Sequence, residues 1–153
     1  MQPVRATLAG LILALLVPVA ALAADAKGDG KGEPQGDVKA AYAAWDTAFN
    51  QRDAKTLASA YVANARVLPP THEAATGPAE IEKFFAGVIG SGVSNHRLEL
   101  LDSGGSGQMV WAAARWSAEA KGSDGAVKKV GGFATHAFER SGNRLRLRLH
   151  TFN

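Results

Sequence analysis

The chain has 153 residues, of which 46% are hydrophobic and 20% charged, and it contains no cysteine. This length allows one domain with a tail. The missing cysteine excludes disulfides, thiolate metal sites, a cysteine nucleophile and a lipid-modified cysteine. Lys and Arg number 17 against 14 Asp and Glu. These basic residues are scattered along the sequence, so a net charge of +3 does not indicate a nucleic-acid partner.

Residues 1–23 are typical of an export signal. Arg5 is their one charge, and an apolar run over 8–22 follows it. This run is shorter than the roughly 20 residues of a membrane-spanning helix. It ends in Ala21-Leu22-Ala23, which resembles a signal-peptide cleavage site. We therefore predict a signal peptide over 1–23 and a periplasmic or secreted protein with no membrane partner after cleavage. An uncleaved N-terminal anchor is the alternative.

Residues 24–36 contain four glycines, a proline and no large apolar side chain. Such a segment cannot offset the entropy lost on ordering, so we predict a flexible linker here and a folded domain over 37–153.

Three helices are predicted in the first half of that domain. Asp37 is a candidate N-cap, and a stripe at helical spacing follows it: Val38, Ala41, Tyr42, Trp45, Ala48 and Phe49. Asp53 is expected to cap a short second helix that carries Leu57, Ala60 and Tyr61 on one face. Gly77-Pro78 opens the third helix, because proline suits the first helical turn, and Gly90 ends it.

The apolar period changes from 3.6 to 2 after Gly92. We predict a short strand over 66–68 and then strands over 96–101, 109–121, 127–140 and 145–153, with turns at 103–107, 122–125 and 141–143. The order α-α-β-α-β-β-β-β is that of an α+β protein with helices on one face of an antiparallel sheet. Gly131-Gly132 inside a long strand indicates a strong bend. A bent sheet around helices forms a cone with an open mouth.

Several segments resemble SnoaL-like and DUF4440-type domains of the NTF2-like superfamily. The resemblance lies in the helical segment 42–65, in Gly77-Pro78 with Phe84-Phe85, and in the ending 145–153. It covers about residues 37–153 and implies the NTF2-like cone, with three helices packed on a strongly bent antiparallel sheet. That superfamily includes isomerases, cyclases, dehydratases, ligand binders and structural modules, so the fold leaves the function open.

The resemblance to ketosteroid isomerase implies a carboxylate base, a tyrosine and a protonated aspartate. We align the two through Asp53, Tyr61 and Ala65. The base then falls on Pro69, the tyrosine on Trp45 and the second aspartate near Gly131. None of the three groups is present, so the isomerase mechanism is disfavoured.

No metal and no cofactor are predicted. His72-Glu73 begins like the H-E-x-x-H zinc motif but lacks its second histidine. The four histidines are far apart in sequence, although three of them meeting in space stays open.

The remaining candidates are pocket residues. For ligand binding we predict Tyr42, Trp45, Tyr61, Trp116 and Asn153. For acid–base chemistry the candidates are His136 and His72, because imidazole titrates near neutral pH. Core packing or a surface position is the alternative for each. Trp116 and Arg115 must point to opposite faces of their strand.

The last strand alternates leucine with arginine. We predict that Leu145, Leu147, Leu149, Thr151 and Asn153 face inward and that Arg144, Arg146, Arg148 and His150 face solvent or a dimer partner.

Three functions are consistent with these observations. The first is a non-catalytic exported domain that binds a small apolar or aromatic molecule in the cone. The second is a small-molecule isomerase, cyclase or hydratase that uses His136 or His72 with Asn153. The third is an assembly module that forms a homodimer through the outer face of the sheet.

Overall fold

The computed structural model describes residues 34–153. The predicted signal peptide and residues 24–33 of the predicted linker lie outside the described residues. The first helix, α1, spans Pro34–Asn50 and begins three residues before the predicted N-cap. Asp37 therefore lies in its first turn, where a carboxylate is favoured by the helix dipole, and its Oδ2 lies 2.6 Å from Arg140 Nη1.

The other helices follow the predicted capping signals. The short α2, Ala54–Ser59, has Asp53 as N-cap, and its carboxylate accepts a hydrogen bond from Thr56 N at 2.9 Å. The third helix, α3, spans Gly77–Gly90 and has proline in its first turn. Two placements were wrong: Ala60 and Tyr61 are not on α2, because the helix ends at Ser59, Ala60 is its C-cap and a strand starts at Tyr61.

Within residues 34–153, six strands form one curved, unclosed sheet. They are β1 Tyr61–Leu68, β2 Ala75–Thr76, β3 Ser94–Ser106, β4 Met109–Lys121, β5 Val127–Ser141 and β6 Arg144–Phe152. Their order across the sheet is β2-β1-β6-β5-β4-β3. The two-residue β2 was not predicted, and the predicted turn at 103–107 is mostly the end of β3. The α+β class and the cone are confirmed.

The sheet is antiparallel at every contact but one. β1 pairs with β6 in parallel, which corrects the prediction of a wholly antiparallel sheet. The chain passes from β1 through β2 and α3 to β3, and the antiparallel strands β3 to β6 then bring β6 back beside β1 in the same direction. Val38, Tyr61 and Ile81 are fully buried where α1, α3 and the inner face of the sheet meet.

A β-bulge in β6 overturns part of the predicted alternation. Leu147 faces Phe138 and Leu149 faces Ala137, so Arg148 is an extra residue on β6. A one-residue insertion exchanges the two faces of a strand. Leu145 and Leu147 face inward as predicted, but beyond the bulge the buried face carries His150 and Phe152 instead of Leu149, Thr151 and Asn153, of which Asn153 is exposed.

The arginines of β6 face outward, and Arg146 and Arg148 bind groups of this chain. Arg146 donates to the carbonyl oxygen of Ser59 at 3.4 Å and to that of Tyr61. Arg148 donates to Asn64 Oδ1 at 3.0 Å and contacts Glu139. The outward orientation of these arginines is therefore consistent with the prediction.

Gly132 is required by the close approach of β5 to the chain end. A Cβ at this position would overlap the carbonyl oxygen of Asn153 and lie 2.8 Å from its Oδ1. We expect Gly132→Ala to lower the free energy of unfolding by about 1–3 kcal/mol, as overpacking does. Gly87→Ala is the control, because a Cβ there meets nothing within 4 Å in α3. It should raise stability by roughly 0.5–1 kcal/mol. Urea unfolding of both variants checks this, and a neutral Gly132→Ala would contradict it.

None of the helices within residues 34–153 is both long enough and apolar enough to cross a membrane.

Candidate functional site

A cavity of about 240 Å³ opens between the helices and the inner face of the sheet. We call it the cone cavity. Its walls are mainly apolar and aromatic, with side chains from α1, α3, β3, β4, β5 and β6, among them Trp45, Phe84, Val88, Trp116, Ala134 and Phe152. Two imidazoles, those of His96 and His150, also line it. A smaller cavity of about 20 Å³ lies beside Tyr42 and His136.

Two residues of the core, Tyr61 and Trp45, fix the His150 ring on its Nδ1 side. Its Nδ1 lies 2.8 Å from the hydroxyl of Tyr61. The same hydroxyl lies 3.3 Å from Trp45 Nε1. Trp45 is on α1 and Tyr61 opens β1, so the contact joins a helix to two neighbouring strands. His150 is buried because the β6 bulge turns it inward.

His136 forms a second tyrosine–histidine pair behind His150. Its Nδ1 lies 2.7 Å from the hydroxyl of Tyr42. Because His136 and His150 are paired directly across β5 and β6, their side chains lie on the same face, and their ring centroids are 4.5 Å apart. Two tyrosine–histidine pairs thus lie side by side in the core.

Burial keeps these groups in their neutral forms. It lowers the pKa of His136 to about 3, with a contribution from nearby His96. It lowers the pKa of His150 well below the usual value, with contributions from His136 and His96. Burial also raises the pKa of Tyr61 and of Tyr42. The nearby carboxylate of Asp46 raises the pKa of Tyr42 further. At neutral pH the core therefore holds neutral imidazoles and protonated phenols.

The third imidazole is oriented by a carboxylate. His96 Nδ1 lies 2.8 Å from Asp46 Oδ1, and Asp46 Oδ2 accepts a hydrogen bond from Leu98 N at 2.9 Å. Asp46 is fixed by the backbone of β3, and it fixes the ring in turn. The ring of His96 packs against Trp45, with centroids 4.8 Å apart, and lies parallel to Trp116 at 6.2 Å. A carboxylate on Nδ1 leaves Nε2 free for proton transfer.

The predicted site residues are divided by the structure. Trp45 and Trp116 line the cone cavity, and Tyr42 lines the smaller one. Tyr61 is fully buried and contacts His150 Nδ1 through its hydroxyl group. Asn153 closes the end of the sheet: its backbone oxygen accepts from Trp116 Nε1 at 3.0 Å and its Oδ1 from Phe133 N at 2.9 Å.

The two predicted acid–base histidines lie away from the wall of the cone cavity. His136 borders the smaller cavity and is not in the wall of the cone cavity. His72 is exposed in the loop between β1 and β2 and has a backbone φ of 66°. Their catalytic roles stay predictions. Pro69 and Trp45, which align with isomerase groups, both line the cone cavity. Arg115 points away from it, opposite Trp116.

Sequence reasoning missed His96, Asp46 and His150. Asp46 and His96 are 50 positions apart, and the pattern of α1 marks Asp46 only as a polar position beside Trp45. Within residues 34–153, no three His, Asp or Glu side chains are arranged to hold a metal ion.

Residues 40–151 match the family model of the SnoaL-like domain. The chain belongs to this SnoaL-like family. A comparison with curated proteins gave no match. The DUF4440 subtype stays a prediction.

Solved structures show the same NTF2-like fold. A ketosteroid isomerase-like protein from Erwinia carotovora atroseptica is 17% identical, with a TM-score of 0.69 over 80% of this chain and 96% of that one. Aln2 from a Streptomyces species is 20% identical, with a TM-score of 0.66 over 80% and 91%. A putative dehydratase of the NTF2-like family from Streptomyces avermitilis is 17% identical, with a TM-score of 0.65 over 77% and 94%. At these sequence identities the similarity shows a shared fold alone.

Proposed function

We propose that this SnoaL-like domain binds a small, partly apolar molecule in the cone cavity. The observation that carries the proposal is the cavity itself: about 240 Å³ with mainly apolar walls and two imidazoles. Pockets that bind small molecules combine apolar walls with a few polar groups that fix orientation. The indole rings of Trp45 and Trp116 favour an aromatic or alicyclic ligand, because flat rings pack well against them.

A screen of small aromatic and alicyclic compounds tests this proposal. We expect binders to raise the melting temperature and to appear as one-to-one complexes in native mass spectrometry. A molecule bound at 100 times its Kd adds about 2.7 kcal/mol to the stability. Silence across a chemically broad set, in both measurements, would contradict the proposal.

Acid–base catalysis is a second candidate, and the Asp46–His96 pair favours it. A histidine oriented by a carboxylate and facing an apolar cavity has the arrangement of a general base. It would serve an isomerase or dehydratase that removes a proton next to a carbonyl group. The structure thus favours His96 over His136 or His72 for this role, because His96 lines the cone cavity.

Deuterium exchange tests the second candidate without knowledge of the natural substrate. 1-Tetralone carries exchangeable protons next to its carbonyl group, and NMR in D2O follows their loss. If His96 is the base, the protein accelerates this exchange, and Asp46→Asn lowers the acceleration by roughly 10²–10⁴-fold. His72→Ala, which changes an exposed histidine outside the cavity wall, is the control. Exchange at the buffer rate in the presence of wild-type protein would contradict this candidate.

We also propose the homodimer through the outer sheet face. Trp111 and Phe133 are 45% and 55% exposed on that face, and Arg115 lies 5.5 Å above the Phe133 ring. Exposed aromatic residues beside arginine are typical of protein interfaces. Sedimentation should give a dimer that Trp111→Glu dissociates; a wild-type monomer at working concentration would contradict the proposal.

Export to the periplasm or medium is proposed from the sequence of residues 1–23 alone. The test is the N-terminus of the mature protein, which we expect at Ala24.

A further inference from the structure

The hydrogen bonds behind His150 fix which of its nitrogens carries the proton. Trp45 Nε1 can only donate, so the Tyr61 oxygen accepts at 3.3 Å. The hydroxyl hydrogen of Tyr61 is then free to donate to His150 Nδ1, 2.8 Å away. The reverse arrangement, with Nδ1–H donating to the hydroxyl, would leave the buried hydroxyl hydrogen unpaired, which costs about 1–3 kcal/mol. His150 therefore accepts at Nδ1 and carries its hydrogen on Nε2.

The Nε2 of His150 is directed to the cone cavity. Within residues 34–153, every side-chain nitrogen or oxygen that is sealed from solvent has a hydrogen-bond partner. Inside that same part of the chain, the Nε2 of His150 has none, so it must reach open space. His150 lines the cone cavity, whereas Tyr61, on its Nδ1 side, does not. Besides His96 and Thr71, the mainly apolar wall of the cavity thus contains a donor whose orientation the core fixes.

The cavity is a poor environment for an anionic ligand, because the His96 imidazole that lines it is already paired with the carboxylate of Asp46. Its wall, within the described residues, contains no Lys or Arg. The nearby carboxylate of Asp46 would repel an anion, and a buried charge without a partner is costly. A neutral acceptor, such as the oxygen of a ketone or aldehyde, satisfies the donor without this cost.

We propose that the Nε2–H of His150, held by Trp45 and Tyr61, donates a hydrogen bond to the carbonyl oxygen of an uncharged ligand. This inference rests on the proposed binding function and names the ligand class. Tyr61 and Trp45 are positioning residues in it, since they act on the ligand only through His150.

The tautomer is measured by long-range ¹H–¹⁵N NMR of the histidine side chains. Wild-type protein should show His150 protonated at Nε2 alone. Tyr61→Phe removes the donor to Nδ1 and should give a mixture of tautomers. Tyr42→Phe is the matched control, because that hydroxyl contacts His136 instead, and it should leave the His150 signals in the Nε2–H pattern. A wild-type Nδ1–H signal would overturn the inference, even if Tyr61→Phe does not fold.

Comparing the affinities for 1-tetralone and tetralin tests whether His150 donates a hydrogen bond to the carbonyl oxygen of the ligand. The two molecules differ only in the carbonyl group. The preference for the ketone over the hydrocarbon should fall about three- to tenfold in Tyr61→Phe, the loss of about one hydrogen bond. An equal preference in wild type and Tyr61→Phe overturns the inference and leaves the proposed function standing. If neither compound nor any other member of the screen binds, the proposed function fails and the inference with it.

Discussion

Between pH 7 and pH 5 the free energy of unfolding is expected to fall by about 2 kcal/mol because of His136 alone. The pKa of this histidine is lowered to about 3 in the folded protein by burial, whereas it is about 6.5 in the unfolded chain. Below pH 6.5 the unfolded state therefore binds a proton that the folded state does not. The contribution of neutral His136 to the free energy of unfolding is therefore complete above pH 6.5, and it is lost progressively as the pH falls towards 3.

His150 should add to this loss, because its pKa is lowered in the same direction. Urea unfolding at pH 7, 6 and 5 measures the effect. His136→Gln, whose side chain does not titrate, should reduce the pH dependence even though it lowers stability at pH 7. His72→Ala is the control and should keep the wild-type dependence, since His72 is exposed. A wild-type stability that is constant from pH 7 to pH 5 would contradict a core with two buried neutral histidines.

Filling the cone cavity is expected to weaken ligand binding by at least tenfold, or about 1.4 kcal/mol. Val88 lines the cavity from α3, and Val88→Phe adds a ring that occupies the space of the ligand. The half-buried position and the free volume of about 240 Å³ should allow the ring to enter with a modest change in stability. Titration with 1-tetralone measures the affinity, and urea unfolding measures the stability.

Val127→Phe is the matched control for this experiment. Val127 is 64% exposed at the start of β5 and does not line the cone cavity. It should bind 1-tetralone with the wild-type affinity. Equal affinities in Val88→Phe and Val127→Phe would mean that the bound molecule lies elsewhere.

Helices and long strands could be predicted because their signals are local. The stripe of α1, the glycine and proline at the start of α3, and the limits of β4 follow from periodicity and capping, and the structure agrees at these positions. The aromatic wall of the cone cavity could be predicted in part, since Trp45 and Trp116 fall on the inner faces of their elements. The fold class follows from the order of these elements.

The polar groups of the site could not be predicted, because they depend on distant contacts and on a register change. The β6 bulge at Arg148 exchanges the faces of the last strand, so His150 is buried where strict alternation places it outside. Asp46 faces β3 only because α1 packs there, and it then binds His96 and the Leu98 amide. Neither the bulge in β6 nor the contact of Asp46 with β3 has a local signal in the sequence.

Intermolecular NOEs between bound 1-tetralone and the protein's methyl groups test the central claim, ligand binding in the cone cavity, most directly. We expect NOEs from the ligand to Val88, Val93 and Leu98, which line the cavity, and none to exposed Val127. NOEs restricted to Val127 and other residues outside the cavity would contradict the claim.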